Sequence, residues 1–392
     1  MPQIIIKELD NTTSMAPYRA SDTVCIFGVT GKGTGPQYLA LDGGDVRKFE
    51  EIIGKSPAVC YELENEKVYD IGYIMAKELV AAGMNVLYVY AATTYDIEEK
   101  LSDILETLKD KGEYDIKFIM PGVYSLDDID SMRDNVHATA FSTFAEARGD
   151  CVALLSLDVA DVSTYTSPDS SYAATFVGTG SYNRATSDTG ITPAIKTFVA
   201  PAAFGYLLAY AKSLRDMNPN WLAIAGVNRG LVPNLVKDSM EFISNTKANE
   251  WQPRTVNDNA GVSLNAITNI KPYGLTIWGN RTTKKVGDDG VVAGNMLNLR
   301  NMVNDVKKLC YTTAKSCLFE QDTEVLWLGF KAKVSELLDR MKSGNGISGY
   351  KFIRENTTEN ATICAKIVLY PTYAVENFEI TVVLENAEVT VE

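Results

Sequence analysis

A single histidine, His137, stands among 392 residues, and that scarcity closes several routes to chemistry. Nucleophilic catalysis by Ser or Cys ordinarily needs a His base, and His137 lies in RDNVHATAF with no Ser or Cys in a strained-turn context beside it. The six cysteines, at 25, 60, 151, 310, 317 and 364, include no Cys-x-x-Cys pair. Neither a zinc set nor a disulfide framework is written in that spacing, and reduced, buried thiols in a cytosolic setting are expected. No window reaches the roughly 18 apolar residues of a membrane helix, and the opening MPQIIIKELDNTTSM is too short in apolar residues for a secretory signal, so no membrane insertion is expected. Positive charge is also short: 37 Lys and Arg against 50 Asp and Glu give a net charge of −13, which repels phosphate backbones and argues against nucleic acid as a partner.

What is present is an ordinary globular composition, 46% apolar and 22% charged, in a chain long enough for two or three domains. TVCIFGV (23–29) reads as a strand ending in a Gly-rich turn. VYDIGYIMAKELVAAGM has helical spacing and runs into the strand-like NVLYVYA; IEEKLSDILETLKDKG is amphipathic to Gly112 and precedes the apolar YDIKFIMPG; ATAFSTFAEARGD leads into CVALLSLD. Helices alternating with buried strands predict an α/β layer with a largely parallel sheet over residues 21 to about 160. From Val162 to Lys196 the chain turns to Ser, Thr, Gly, Asp and Tyr, which predicts exposed loops and ribbons.

The last hundred residues read as a separate unit. Two helices are expected, one carrying Leu299, Met302, Val303, Val306, Leu309, Cys310 and Cys317 on one face, the other Phe330, Val334, Leu337, Leu338 and Met341. Strands follow in YKFIRE, ATICAKIVLYP and VENFEITVVL; in the last, Phe378, Ile380, Val382 and Leu384 alternate with Glu379, Thr381, Val383 and Glu385, the period of a half-buried strand. The fold class is therefore α/β, multi-domain, with a mostly parallel sheet flanked by helices plus a C-terminal α+β unit and extended β arms at both ends.

GVTGKGTG (28–35) is the most enzyme-like string. In a Walker loop the Lys follows the second Gly, whereas Lys32 precedes Gly33; in the dinucleotide fingerprint the third Gly falls one residue later than Gly35, which Pro36 then follows. A nucleotide-binding α/β enzyme stays as the alternative of a different class. The acidic DDID at 127–130 lacks calcium-loop spacing, and no cofactor or metal ligand set is singled out.

GLTIWGNRTT, near two-thirds of the chain, gathers Gly274, Trp278, Gly279, Arg281 and Thr282 with no acid or His beside them. In this order with YDIKFIMPG, AEARGDCVALLSLD, NWLAIAGVNRG, NLRNMVNDVKKL, LFEQDTEVLW and YPTYAVENFEITVVL, it resembles the contractile tail sheath family of phages and phage-tail-like particles, whose core closes on a Gly-x-x-x-Trp-Gly-x-Arg-Thr run. The physical logic of the run is packing: the Trp buries area, Gly279 permits a sharp turn, and the Arg fork ties carbonyls or acids. A core Trp with a surface Arg is the other reading, and where Arg281 points separates the two.

The resemblance implies stacked six-subunit rings around a tail tube, with the chain's partners being its own copies, the tube protein, and baseplate and tail terminator proteins. It implies a virion tail location after assembly in the bacterial host cytoplasm, no enzymatic activity and no cofactor. Residues 1–20 are expected as an N-terminal arm, 21–295 as the core with an exposed β- and loop-rich part around 160–200, 296–374 as an inner, tube-facing unit, and 375–392 as a C-terminal linker strand. Ile4, Ile5 and Ile6, with Phe378, Ile380, Val382 and Leu384, would add strands to neighbouring subunits; pairing within their own subunit is the alternative. Residues 296–350 hold eight Lys or Arg and six acids, a net +2 against −15 for the rest, so Lys331, Lys333, Arg340 and Lys342 are candidate tube contacts or, equally, a solvated helix face. The same resemblance admits the sheath of a bacteriocin or a type VI-like injection device.

Overall fold

A computed structural model describes residues 22–30, 35–63, 66–121, 136–188, 194–237, 239, 243–355 and 362–376. Along the chain the strands are β1 (Val24–Val29), β2 (Gln37–Leu41), the hairpin β3 (Val59–Leu63) and β4 (Glu66–Tyr69), β5 (Val86–Ala91), β6 (Phe118–Met120), β7 (Val152–Leu157), β8 (Ala173–Val177), β9 (Thr179–Asn183), β10 (Thr197–Pro201), β11 (Asn265–Ile270), β12 (Gly274–Trp278), and the hairpin β13 (Ile347–Glu355) and β14 (Cys364–Pro371). Eight of them form one sheet in the order β12-β11-β8-β7-β6-β1-β5-β2. The six inner strands are parallel, and an antiparallel strand closes each edge.

Both faces of the parallel part are covered, which is why its strands read as apolar runs. Successive side chains point to opposite faces. Val24 and Ile26 of β1 join Val86, Tyr88, Phe118, Met120, Leu154 and Phe176 beneath the helices Ile71–Ala81 and Ala202–Arg215. Cys25, Phe27 and Val29 join Val89, Ile119, Ala153 and Leu155 on the other face, beneath Leu101–Thr107 and Val136–Arg148. Burial pushes the Cys25 thiol far above its ordinary value and the Cys151 thiol up to about 12, so these two are packing groups and not nucleophiles.

Two expectations change. The single amphipathic helix read up to Gly112 is two, Thr94–Glu99 and Leu101–Thr107, because Lys100 leaves the helical conformation at φ −103° and ψ 9°. The stretch around 160–200 is not an exposed annex: β8 lies inside the sheet with every residue buried, and only the β9–β10 ribbon has the expected alternation of burial. The sheet thus extends well past residue 160. GLTIW forms the second arm of a hairpin, β11–β12, pairing Ala266 with Trp278 and Ile270 with Gly274.

The helices Leu297–Lys315 and Glu324–Ser343 form where the periodicity places them, and Leu299, Met302, Val306 and Leu309 meet Val334, Leu337, Leu338, Met341 and Ile347 in a separate apolar cluster. Cys310 packs at its margin, and Cys317 lies beyond the end of its helix. The opposite side of the 297–315 helix is polar yet buried. Lys117, just ahead of β6, puts its ammonium 2.9 and 3.0 Å from the two carboxylate oxygens of Asp305. Lys308 reaches Asp115 at 2.6 Å and the Ile116 carbonyl at 2.7 Å, Asn304 donates to the Cys151 carbonyl at 3.3 Å, and Arg300 donates to Ser171 while lying 4.3 Å over the Tyr172 ring. These groups sit at the amino ends of β6, β7 and β8, so the helix caps that end of the sheet through polar contacts. Burial raises the Asp305 pKa even though Lys117 beside it pulls it down.

Candidate functional site

The GLTIWGNRTT segment starts as sheet and ends as a hub. At the end of β12 the backbone turns through Gly279 at φ +139°, where a Cβ would come within 2.7 Å of Asn265 Oδ1 and 2.8 Å of Gln252 Nε2, so only Gly fits. Trp278 is half-buried: one side packs on Trp251 and Leu264, and its indole N–H donates to Asn249 Oδ1 at 2.7 Å. Asn265, opposite on β11, grips Arg281 through its main chain, accepting from the Arg281 N–H at 2.9 Å and donating to the Arg281 carbonyl at 2.8 Å. Thr282 donates its hydroxyl to the Gly294 carbonyl and its N–H to Asn295, and Thr283 donates to Ser170 and Ala173 ahead of β8. Asn280 bonds Asn298 in the first turn of the 297–315 helix. One short segment therefore ties the sheet edge to the C-terminal helical unit.

Arg281 decides between the two readings of its role. Its side chain is 1% exposed, and the guanidinium makes a two-point contact with Glu376, Nε to Oε1 at 3.0 Å and Nη2 to Oε2 at 2.5 Å. A planar fork facing a carboxylate gives the strongest kind of side-chain hydrogen bonding. Nη1 is buried and has no partner among the described residues. Glu376 stands two residues ahead of Phe378, so the buried Arg holds the root of the C-terminal segment. The partner lies 95 residues away in sequence. The candidate arm residues themselves, Ile4, Ile5, Ile6, Phe378, Ile380, Val382 and Leu384, lie outside the described residues.

Lys331, Lys333, Arg340 and Lys342 are all exposed on the helix Glu324–Ser343. At about 100° per residue they do not form one face: Lys331 and Lys342 fall on one flank of the buried Val334, Leu337, Leu338 and Met341 stripe, Lys333 and Arg340 on the other. Lys331 lies 5.9 Å over the Phe352 ring, and Arg340 is 4.0 Å from Glu336. The four candidate tube contacts thus form two basic edges.

The nucleotide alternative loses its structural context. The Gly-rich string, of which residues 31–34 are outside the description, follows β1 but leads to the antiparallel edge strand β2 and not to a helix. The helix amino terminus closest to the end of β1 is already filled: Asp70 accepts from the N–H groups of Val29, Gly72 and Tyr73 at 2.9, 3.0 and 2.9 Å and from the Tyr88 hydroxyl at 3.0 Å. A carboxylate in that position repels phosphate. Burial raises the Asp70 pKa to about 6 against those four donors.

Beside the hub, Trp221, Ala225, Arg229, Arg254, Trp278 and Val375 line an open pocket of about 700 Å³. Sequence reading missed it because its walls come from six separated segments.

No protein-family model matches the chain. Over 161 residues, 41% of its length, it is 20% identical to the tail sheath protein of Enterobacteria phage T4 and spans 22% of that protein. Among solved structures, the PVC sheath complex of an extracellular contractile injection system, in its contracted state, is similar over 99% of this chain and 98% of that one, with a TM-score of 0.64 at 16% identity. A chain of the anti-feeding prophage (AFP) baseplate is similar over 98% and 99%, with a TM-score of 0.62 at 12% identity. The sheath tail protein of Desulfitobacterium hafniense is similar over 94% and 100%, with a TM-score of 0.51 at 9% identity. The mixed α/β fold is that of contractile sheath proteins, and sequence and fold comparisons agree on the family this chain resembles.

Proposed function

We propose that the chain is a structural subunit of a contractile tail sheath, polymerising as stacked hexameric rings around a tail tube and shortening to drive that tube through a host envelope for genome delivery. The observation that carries this reading is the Arg281–Glu376 contact, in which the two halves of the sheath-like sequence pattern, WGNRTT and the Pro-then-Glu ending, meet in space. A linker strand that transmits load between copies must be fastened where it leaves its own body. A partly buried two-point charged contact at residue 376 is such a fastening.

In this reading Ile4–Ile6 and Phe378, Ile380, Val382 and Leu384 add strands to neighbouring copies, and the 296–374 unit faces the tube. Lys331 with Lys342, or Lys333 with Arg340, meets an acidic tube surface through exposed pairs that release readily on contraction. Baseplate and terminator proteins bound the polymer, which forms in the bacterial cytoplasm and resides in the tail of the particle. Catalysis and a cofactor have no part in it. The particle is a phage, as the T4 relative favours, or a phage-tail-like injection device, as the PVC and AFP structures favour.

The test is negative-stain microscopy of the purified chain at rising concentration, with and without residues 378–392. Tubes or stacked rings are expected from the full chain, and only dispersed, folded particles from the shortened one. Tubes from the shortened chain, or a single compact species from the full chain at every concentration, overturn the reading.

A further inference from the structure

The turn between the two C-terminal helices displays an apolar knob. Phe319 is 101% exposed, and Leu318 before it and Val325 and Leu328 in the first turns of the next helix are exposed by half or more. Phe319 also has φ +67°, a left-handed conformation that costs a bulky residue energy and here turns an aromatic ring into solvent. Glu320 and Asp322 flank it, and the Glu320 carboxylate makes no ion pair among the described residues. Contiguous exposed apolar groups framed by charge mark a binding surface.

The same chain carries a hole of the opposite character. The 700 Å³ pocket presents Trp221 and Trp278 with the guanidinium groups of Arg229 and Arg254 at its walls. Trp and Arg are the residue types that concentrate binding energy at interfaces, and the volume is ample for one aromatic side chain. An acid-flanked Phe and an Arg-lined, Trp-walled pocket are complementary in polarity and charge.

The knob cannot reach its own pocket. It precedes the 20-residue helix Glu324–Ser343, and the pocket wall at Asn345 and Gly346 follows the other end of that helix, about 30 Å away. We infer that Phe319 of one copy inserts into the Trp221–Trp278 pocket of the next, with Glu320 meeting Arg254. A knob and hole at different places on one surface make a head-to-tail contact, which propagates into a ring or a helical filament and not a closed dimer. The inference rests on the sheath reading and adds to it a contact of the folded bodies, separate from the terminal arms.

The experiment measures the critical concentration for assembly of the full chain by sedimentation and negative stain. Because the Phe319 side chain is fully exposed and Asp tolerates a left-handed backbone better than Phe does, Phe319→Asp does not lower the melting temperature while raising the critical concentration about tenfold or more, the loss expected for one interface anchor. Glu320→Arg and Arg254→Glu each raise it, and the double variant returns to within about threefold of the original chain. Assembly of Phe319→Asp at the original concentration, or a double variant no better than its parents, overturns the contact while leaving the sheath reading standing. Failure of the unaltered chain to assemble at any concentration overturns the sheath reading and this contact together.

Discussion

Replacing Glu376 with Gln tests the fastening of the C-terminal segment directly. Gln keeps the shape and one acceptor oxygen but removes the charge, leaving the Arg281 guanidinium, 1% exposed and already with one unpartnered nitrogen, without its counter-charge. Removing one member of a fully buried pair costs about 3–5 kcal/mol. Glu376 is 24% exposed, so water can reach the site and about 3 kcal/mol is the expected loss. At about 2.1 cal/mol/K per residue, 392 residues unfolding together carry about 0.8 kcal/mol/K, which converts that loss to a fall of about 4 °C in melting temperature. Scanning fluorimetry measures the fall, and limited proteolysis followed by mass spectrometry reports cleavage after residue 376. Arg281→Lys, which keeps the charge but not the fork, is expected to fall between the two. A Glu376→Gln protein that melts within about 1 °C of the original and is cut no faster between 377 and 392 refutes the argument.

Gly279→Ala is expected to cost at least twice as much as Gly274→Ala by thermal unfolding, because both sites need positive φ but only at Gly279 does the new methyl collide, with Asn265 and Gln252; equal losses would mean that backbone strain alone matters. Asp70, raised from 3.8 to about 6, contributes stability that is fully present below pH about 3.8 and is lost as pH rises through about 6. The original chain should therefore gain on Asp70→Asn by about 2 kcal/mol as pH falls from 8 to 4.5, and a pH-independent difference in melting temperature rejects this. Charge reversal at Lys331 with Lys342, and separately at Lys333 with Arg340, should leave stability within about 0.5 kcal/mol because all four side chains are exposed, while one pair and not the other loses co-sedimentation with tubes. Retention by both removes the electrostatic tube contact.

Much of the architecture was legible because burial imposes period. β1, β5, β6 and β7 announced themselves as apolar runs between amphipathic helices, and Leu299 through Leu309 marked the helix that packs on Val334 through Met341. β8 was illegible: five residues, AATFV, sandwiched between Ser- and Gly-rich tracts, carry too little contrast to register, although the sheet buries them all. The burial of the polar side of the 297–315 helix was illegible because its partners, Lys117 and Asp115, lie nearly two hundred residues upstream. At the hub, Gly279 and Arg281 were visible as a pattern, but Glu376 was one acid among fifty until the fold placed it against the guanidinium.

The join between the 297–315 helix and the sheet has a mechanical meaning. Lys117, Asp305, Lys308, Asn304 and Arg300 are groups that water can satisfy one for one, so parting the two blocks lays bare little oily surface and trades protein partners for hydration. Such a seam resists small displacements through its directional bonds yet carries no large hydrophobic penalty once they let go. The block could be re-seated at a new angle without melting either side, as a mortise can be shifted without planing the timber.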